Sequence, residues 1–290
     1  MSRVLIAGCG YVGCALAETL ASAGDEVWAL RRSDVDPPAG AQPLQADLND
    51  PSTLTEIPEA LDHVVFTAAP DRGADEAAYR EVYVDGLRNL LNALELQMQW
   101  PRRVIFASST GVYGQTDGSW VDESSETNPS SATGRLLVHA ERLLLDDRFR
   151  GTAVRFGGIY GPGRTMLVDS VREGRARLSS REIYTNRIHR DDCVGVLRHL
   201  MGLSNPLPIY VAVDSEPAAR DIVLGWLANT LRVELPTTGD GDDAAGDRGG
   251  ANKRCSNKRL IGSGYEFRCP TFREGYRQVL AAHDWLPKDA

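Results

Sequence analysis

Three glycines near the start of the chain have the spacing of a phosphate-binding turn. The segment 8–13 reads G-x-G-x-x-G and lies between an apolar run at 3–8 and a helical pattern. In such a turn the first glycine permits the tight bend, the second lets the backbone approach a pyrophosphate, and the third lets helix and strand pack closely. The N–H groups that open the helix then bind the phosphates. The motif predicts a dinucleotide-binding site at Gly8, Gly10, Tyr11, Val12 and Gly13.

The end of the second apolar run indicates which dinucleotide is bound. A site for NAD usually has an acid there, which accepts hydrogen bonds from the ribose 2′-hydroxyl. This chain has Arg31 and Arg32 instead. Guanidinium groups bind a 2′-phosphate, which an acid would repel. The alternative is a solvated basic pair at the end of a strand. The pair predicts NADP(H) in preference to NAD(H).

The elements that must position these residues alternate between strands and helices. The strand-like runs are short, nearly continuous in hydrophobicity, and rich in β-branched or aromatic residues, which is typical of strands covered on both faces. They lie at 3–8, 26–30, 63–69, 103–109 and 152–160. Helical patterns lie between them, at about 12–23, 75–98 and 131–147. The alternation predicts an α/β fold with a Rossmann-like, doubly wound parallel sheet.

The C-terminal third is less regular. We expect helices at 190–201, 218–231 and 271–285 and a strand at 208–213. The Gly/Asp-rich stretch 237–250 is interpreted as a flexible loop. The prediction is a single Rossmann-type domain over residues 1–290, with a small C-terminal substrate lobe formed mainly from about 160–190 and 215–275.

Composition and charge narrow the classes of partner. The formal net charge of the 290-residue chain is −8, which argues against nucleic acid because phosphate binding needs a basic face. No apolar run approaches the roughly 20 residues that span a bilayer. Because the segment 1–8 enters a strand directly, we expect a cytoplasmic protein with no membrane partner. The five cysteines include no C-x-x-C pair, so the sequence predicts neither a metal site nor a disulfide framework.

Three further segments carry a resemblance to a known family. SSTGVYG at 108–114, RFGGIYGPGR at 155–164 and NRIHRDDCVGVL at 186–197 together resemble the extended short-chain dehydrogenase/reductases, which include the NAD-dependent epimerase/dehydratase group. Asp47-Leu48 lies where that family has its acid near the adenine, and Ala68-Ala69-Pro70 lies where its Ala-Ala-Gly turn passes the cofactor. The resemblance implies a Rossmann domain of about seven parallel strands with a small substrate lobe.

The resemblance also implies a mechanism that uses a Ser or Thr, a Tyr, and a Lys four residues after the Tyr. In the family the Tyr exchanges a proton with the substrate oxygen, the Lys lowers the pKa of that Tyr, and hydride passes between the nicotinamide and the substrate carbon. Ser109 matches the Ser. When the helix at 131–147 is aligned on the family, Thr133 falls at the Tyr position and Leu137 at the Lys position. Both functional groups are therefore missing.

Other residues are candidates for the missing proton donor and for contacts with a small-molecule substrate. Tyr113 is the candidate acid, with the alternative that it is structural or contacts the substrate, as in most family members. His189 has an imidazole whose ordinary pKa is about 6.5, and its alternative role is to cap a helix. Tyr160 and Arg164 are candidate substrate contacts. Ser109 has the alternative role of capping a strand end.

The neighbours of these candidates are expected to be structural. Asp191 and Asp192 are interpreted as the N-cap and first-turn acids of a helix, where they interact favourably with the helix dipole. Cys193 is expected to be a packed thiol, because nothing nearby in the sequence would activate it. Glu141 and Arg142 are expected on the exposed surface of their helix.

Two functions of different classes follow. The first is an NAD(P)-dependent oxidoreductase or nucleotide-sugar epimerase-like enzyme with an atypical active site, acting on a small substrate that carries a hydroxyl or a carbonyl. Its proton chemistry would be moved to Tyr113, His189 or water. The second is a non-catalytic NADP(H)-binding redox sensor or regulatory protein. Because family members often dimerise through two long helices, Leu136, Leu137 and Leu143–Leu145 of one such helix indicate a possible homodimer.

Overall fold

A seven-stranded sheet is the largest element of the computed structural model, which describes residues 1–71, 73–239 and 251–287. The strands in chain order are β1 (Arg3–Ala7), β2 (Glu26–Arg31), β3 (Gln42–Gln45), β4 (His63–Phe66), β5 (Arg103–Ser109), β6 (Trp120–Val121), β7 (Gly151–Phe156), β8 (Gly158–Tyr160), β9 (Arg177–Leu178), β10 (Tyr184–Thr185), β11 (Arg187–His189), β12 (Ile209–Ala212), β13 (Ala218–Ala219), β14 (Thr237–Thr238) and β15 (Arg254–Cys255).

The strand order in the large sheet is β12-β7-β5-β4-β1-β2-β3. The pairs β1–β2, β2–β3, β1–β4 and β4–β5 are parallel. The chain order reverses between β1 and β4, and in doubly wound sheets ligands bind outside the carboxyl ends of the strands at this switch point. All four residues of β4 are buried, as expected for a strand covered on both faces. The predicted α/β, Rossmann-like fold is confirmed.

The α-helices accompany this sheet and the smaller strand pairs. They are α1 (Tyr11–Ser22), α2 (Glu76–Arg80), α3 (Leu87–Leu96), α4 (Ala132–Leu145), α5 (Met166–Arg172), α6 (Arg190–Gly202), α7 (Arg220–Leu231), α8 (Lys258–Gly262) and α9 (Phe272–Ala282). Short 3₁₀ helices cover Pro51–Glu56 and Thr110–Val112. Within the described residues, no helix is long and apolar enough to cross a membrane.

The helix predicted over 75–98 is interrupted. A π-helical segment, Glu81–Gly86, joins α2 to α3. Gly86 in this segment is tightly packed, because a Cβ there would lie 3.1 Å from the Cβ of Leu48. Apolar spacing reports only that a helix has a buried side. It does not distinguish a regular turn from a wider one, so the sequence did not predict the interruption.

The chain divides into two compact units. The first comprises residues 1–112, 127–155 and 194–210, and the second comprises 113–126, 156–193 and 211–290. The segments predicted to form the lobe, 160–190 and 215–275, fall in the second unit, and their role toward a substrate stays a prediction. Of the stretch predicted as a flexible loop, Thr237–Thr238 pair with β9 as strand β14, and residues 240–250 lie outside the described residues.

Candidate cofactor and active site

The turn between β1 and α1 requires its first glycine on two counts. Gly8 has a φ of +90°, a left-handed conformation that disfavours residues with a side chain. A Cβ at Gly8 would also lie 2.2 Å from the Cα of Ala68, so the two loops are in direct backbone contact. The Thr67 hydroxyl fixes this approach by donating a 2.7 Å hydrogen bond to the Gly8 carbonyl. The structure thus brings the predicted turns at 8–13 and 68–70 together.

The other two glycines differ in the space around them. A Cβ at Gly13 would lie 2.6 Å from the Gly8 carbonyl oxygen, so this glycine permits close packing of helix on strand. Gly10 is exposed, and a Cβ there would meet nothing within 4 Å. Among the described residues, no side chain caps the N-terminus of α1 at Gly10, and the first turn of this helix contains no acid. An open, uncapped helix N-terminus of this kind fits the pyrophosphate of a dinucleotide.

The two arginines at the end of β2 have different surroundings. Arg31 is half-buried and donates from Nη2 to the Cys14 Sγ at 2.7 Å and from Nη1 to the Asp36 carbonyl at 3.3 Å. Arg32 is exposed. Both stand at the carboxyl edge of the sheet, where a ribose 2′-substituent is expected. Arg31 therefore has fewer donors left for a phosphate than Arg32 has.

The loop after β3 lies beside this strand end. The Ala46 amide donates a 3.0 Å hydrogen bond to the Arg31 carbonyl. In the loop, the Asp47 carboxylate accepts from the Asn49 amide at 2.9 Å, and the Leu48 carbonyl accepts from the Asn89 side chain at 2.8 Å. Leu48 itself is buried. The geometry is consistent with an adenine pocket at Asp47-Leu48, which stays a prediction.

The turn that follows β5 places Ser109 on the same edge of the sheet. Ser109 is half-buried, and its Oγ accepts a 3.1 Å hydrogen bond from the Gly111 amide. This bond orients the hydroxyl and leaves its own proton available to donate to a substrate oxygen. Ala69, which follows β4, is exposed on the neighbouring loop, and Pro70 is half-buried.

Helix α4 packs its first turn against the Ser109 turn. Ser131 caps the helix by accepting a 3.1 Å hydrogen bond from the Gly134 amide. A Cβ at Gly134 would lie 2.6 Å from the Gly111 carbonyl oxygen, so backbone meets backbone here. Thr133 is half-buried beside this contact, and Leu137, one turn further along, is buried. The helix occupies the expected place, and the two positions carry no group that exchanges protons near neutral pH.

Tyr113 belongs to the second unit, and its hydroxyl and its backbone carbonyl are both hydrogen-bonded. The side chain is buried, and its hydroxyl donates a 2.7 Å hydrogen bond to the Asp122 carbonyl. The Tyr113 carbonyl accepts from the Nζ of Lys253 at 3.2 Å. Lys253 is also buried, and desolvation lowers the pKa of its ammonium group. This lysine follows the Gly/Asp-rich stretch and matches no motif, so the sequence carries no signal that would identify it.

Two of the candidate substrate residues of the second unit, Tyr160 and His189, are buried and in contact. The rings of Tyr160 and His189 meet edge to face at 5.4 Å, and the Tyr160 ring lies 4.4 Å from that of Tyr276. His189 Nδ1 accepts from the Asp191 amide at 3.3 Å, and burial lowers the pKa of its imidazole. Arg164 is half-buried and donates to the Ile159 carbonyl at 3.4 Å. Contact of Tyr160, Arg164 and His189 with a substrate stays a prediction.

Two expectations for structural residues are resolved. Cys193 is fully buried, as expected for a packed thiol. Glu141 was expected on an exposed surface, and this is wrong: the side chain is buried and pairs with Arg155 on β7, while Arg142 beside it is exposed. The Ser108 hydroxyl donates a further 2.6 Å hydrogen bond to Glu141. A carboxylate is stable in this interior because Arg155 compensates its charge.

The leucines of α4 also differ from the expectation. Leu136, Leu137 and Leu144 are buried within the protomer. The exposed side chains of the helix are polar, at Arg135, His139 and Arg142. The three buried leucines therefore give no support to a homodimer, which stays a prediction.

The model of the NAD-dependent epimerase/dehydratase family matches residues 4–184. The chain belongs to this family. The match covers the phosphate-binding turn, the Ser109 turn and the whole of α4.

Two of the similar proteins resemble the chain over nearly its whole length, and a third resembles about half of it. Protein YeeZ of Escherichia coli K12 is 28% identical over 93% of this chain and 97% of its own. A solved structure from Methylobacillus flagellatus, described as an NAD-dependent epimerase/dehydratase, is 36% identical to this chain. The similarity covers 98% of this chain and 99% of that chain, with a TM-score of 0.80. UDP-glucose 4-epimerase of Streptomyces lividans is 29% identical over 52% of this chain and 47% of its own.

Proposed function

We propose that this family member binds NADP(H) in preference to NAD(H) and is an oxidoreductase or epimerase-like enzyme with an atypical active site. The observation that carries the proposal is the open, uncapped turn at Gly10 with Arg31 and Arg32 at the neighbouring strand end. The turn binds a pyrophosphate, and a guanidinium pair binds a 2′-phosphate through charge-assisted hydrogen bonds.

The Ser109 turn supports an enzyme that acts on a small substrate with a hydroxyl or a carbonyl. A nicotinamide cofactor supplies hydride transfer when it is bound. Ser109 orients and polarises the substrate oxygen, because its Oγ is fixed by Gly111 and its proton is available to donate. A nucleotide-sugar is the substrate class we favour, given the similarity to a UDP-glucose 4-epimerase.

The proton step is assigned to water. Thr133 and Leu137 offer no acid of suitable pKa, and the Tyr113 hydroxyl is buried and donates to a backbone carbonyl. His189 is buried as well. Ser109 is half-buried, whereas Tyr113 and His189 are buried. Because solvent reaches Ser109 more easily, a water beside the substrate oxygen at Ser109 is the proton source that we favour. Tyr113 remains the candidate side chain if a water is excluded.

The test of the cofactor proposal is a titration of the purified protein with NADPH and NADH. We expect NADPH to bind about tenfold more tightly, which corresponds to about 1.4 kcal/mol. Arg32→Ala should weaken NADPH binding and leave NADH binding unchanged. Equal affinities for the two nucleotides would overturn the role of the arginine pair.

The test of catalysis is turnover of nucleotide-sugars and of small alcohols and ketones with NADP(H). Ser109→Ala should lower turnover by about 100-fold, because Ser109 is the side chain proposed to polarise the reacting oxygen. Tyr113→Phe should lower turnover much less, because the Tyr113 hydroxyl is proposed to be structural. A larger loss in Tyr113→Phe would return the proton step to that residue.

A second function remains open: a non-catalytic NADP(H)-binding redox sensor or regulatory protein. The observation that favours it is the loss of both proton-handling groups, with Leu137 buried at the usual Lys position. Tight NADPH binding without turnover of any substrate in the panel would select this function.

A further inference from the structure

The Arg31 guanidinium has a second partner besides any cofactor. Its Nη2 lies 2.7 Å from the Sγ of Cys14, on the first turn of α1, and its Nη1 donates to a loop carbonyl on the other side. Cys14 is half-buried, five residues after Cys9 in the phosphate-binding turn. An arginine that must bind a phosphate is therefore already in contact with a thiol.

The charge of the Cys14 thiol depends on burial and on its neighbours Cys9, Arg31 and Glu18. The hydrogen bond from the Cys9 thiol and the charge of Arg31 lower the pKa of Cys14 to about 6, against burial and the nearby Glu18. The Cys9 carbonyl, 2.9 Å from the Cys14 Sγ, favours the neutral thiol, which donates to it. The hydrogen bond to Cys14 and burial raise the pKa of Cys9. Cys14 is thus the member of the pair that ionises, as expected for a thiol beside an arginine at a helix N-terminus.

We propose that Cys14 determines the cofactor specificity of this site, because its thiolate competes with the 2′-phosphate of NADP(H) for the Arg31 guanidinium. The inference rests on the proposed binding of NADP(H) at this strand end. When Cys14 is neutral, Arg31 is free to turn both of its terminal nitrogens to the phosphate. When Cys14 is ionised, it neutralises Arg31 in place and leaves Arg32 as the main cation of the site.

The competition affects only one of the two nucleotides. NADH has no 2′-phosphate, so its affinity does not depend on the charge state of Arg31. The ratio of NADPH to NADH affinity therefore reports on Cys14, while a general disturbance of the turn changes both affinities together. This separates a specificity role from a structural one.

The experiment compares wild type with Cys14→Ser, which keeps the size and the acceptor but carries no charge. NADPH and NADH are titrated at pH 5.5 and pH 8.0. The 2′-phosphate gains its second charge at about pH 6 in both proteins, so the readout is the difference between the proteins. At pH 8.0 we expect Cys14→Ser to bind NADPH about threefold more tightly than wild type, with NADH unchanged. At pH 5.5, where most of the thiol is neutral, the difference should become small.

Glu18→Gln is the matched control, since it removes a negative charge one turn further along α1 without touching Arg31. It should change the NADPH affinity less than Cys14→Ser does. Unchanged or weaker NADPH binding in Cys14→Ser at pH 8.0 overturns the inference. Arg31→Ala, titrated at pH 5.5 where most of Cys14 is neutral, separates the two proposals. If it does not weaken NADPH binding there, the role of Arg31 in cofactor binding has failed. If it weakens NADPH binding while Cys14→Ser equals wild type at pH 8.0, only the role of Cys14 has failed.

A second measurement needs no nucleotide. The rate of alkylation of Cys14 by iodoacetamide, followed by mass spectrometry of the peptide, gives the pH at which the thiol ionises. We expect a midpoint of about 6 in wild type, in agreement with the low pKa, and a shift upward in Arg31→Ala. A midpoint near the ordinary value of about 8.5 in wild type contradicts the proposal, because the thiol would then be neutral when the cofactor binds.

Discussion

Glu141 on α4 and Arg155 on β7 form an ion pair inside the protein. The Arg155 Nη2 lies 2.7 Å from the Glu141 Oε2, and the Arg155 Nε donates to the Oε1 of the same carboxylate at 3.0 Å. Both side chains are only 4% exposed. The pair joins the helix that would carry the family's Tyr and Lys to the sheet, so it holds the wall of the site independently of the two lost groups.

Removal of this carboxylate should destabilise the protein strongly. Glu141→Ala leaves the Arg155 charge buried and unpaired, and we expect the free energy of unfolding to fall by about 3–5 kcal/mol. Arg142→Ala is the matched control, since it changes an exposed neighbour and should cost about 0.5 kcal/mol at most. Urea denaturation of both variants measures the difference. Equal stabilities would mean that the pair contributes nothing to the fold.

The contact between α4 and the Ser109 turn gives a second prediction. Gly134→Ala places a methyl group 2.6 Å from the Gly111 carbonyl oxygen. The helix must move, and we expect a loss of about 1–3 kcal/mol in the free energy of unfolding. Gly225→Ala, also within a helix but with nothing within 4 Å of its Cβ, should instead raise stability by about 0.5–1 kcal/mol. Thermal denaturation of the two variants should show shifts of opposite sign.

The fold was predictable because its signals are local. Apolar runs mark the strands, and the turn at Gly8 needs a glycine whatever the rest of the chain does. The contacts of Glu141 were not predictable in this way, because its partners lie on two other elements, at Ser108 and Arg155. A glutamate on a helix is normally solvated, and the sequence does not show which face of α4 meets the sheet.

Only the parts of the candidate site that belong to sequence motifs were predictable. The position of Ser109 and the absence of an acid at Thr133 followed from the family pattern. The contact between Arg31 and Cys14 did not, since it joins β2 to α1 and neither residue type indicates the other. Side-chain pairing across elements depends on packing, and periodicity carries no information about it.

The segment 265–269 is anchored by hydrogen bonds to Asp192 of α6. The Asp192 carboxylate is fully buried and accepts from the Tyr265 hydroxyl at 2.8 Å, the Arg268 amide at 2.8 Å and the Cys269 amide at 2.9 Å. Asp192→Asn replaces one acceptor oxygen by a donor, and we expect a loss of about 2–3 kcal/mol. Hydrogen exchange should show faster exchange at the Arg268 and Cys269 amides.

The control for this variant is the neighbouring acid. Asp191→Asn changes a half-buried side chain whose guanidinium partner is the adjacent Arg190, and such a pair contributes about 1 kcal/mol at most. Its amide exchange around 265–269 should match wild type. If Asp191→Asn disturbs that segment as much as Asp192→Asn does, the anchoring role assigned to Asp192 is wrong.

The second unit contains an acid that should make stability depend on pH. Asp214 is 1% exposed, and burial raises the pKa of its carboxyl from 3.8 to about 7, although the charge of Arg187 opposes this and those of Glu216 and Asp192 add to it. Its Oδ2 has no hydrogen-bond partner among the described residues. The folded protein therefore keeps this proton to higher pH than the unfolded chain does.

The sign of the effect follows from linkage. A raised pKa stabilises the folded state below about pH 4, and this contribution is lost as the pH rises through about 7. Asp214→Asn removes the titration, so the free energy of unfolding of the variant minus that of wild type should rise between pH 4.5 and pH 8. The rise should approach about 1.4 kcal/mol for each pH unit of the shift. Urea denaturation at four pH values in this range measures it. A difference that is flat across the range would show that Asp214 ionises with its ordinary pKa.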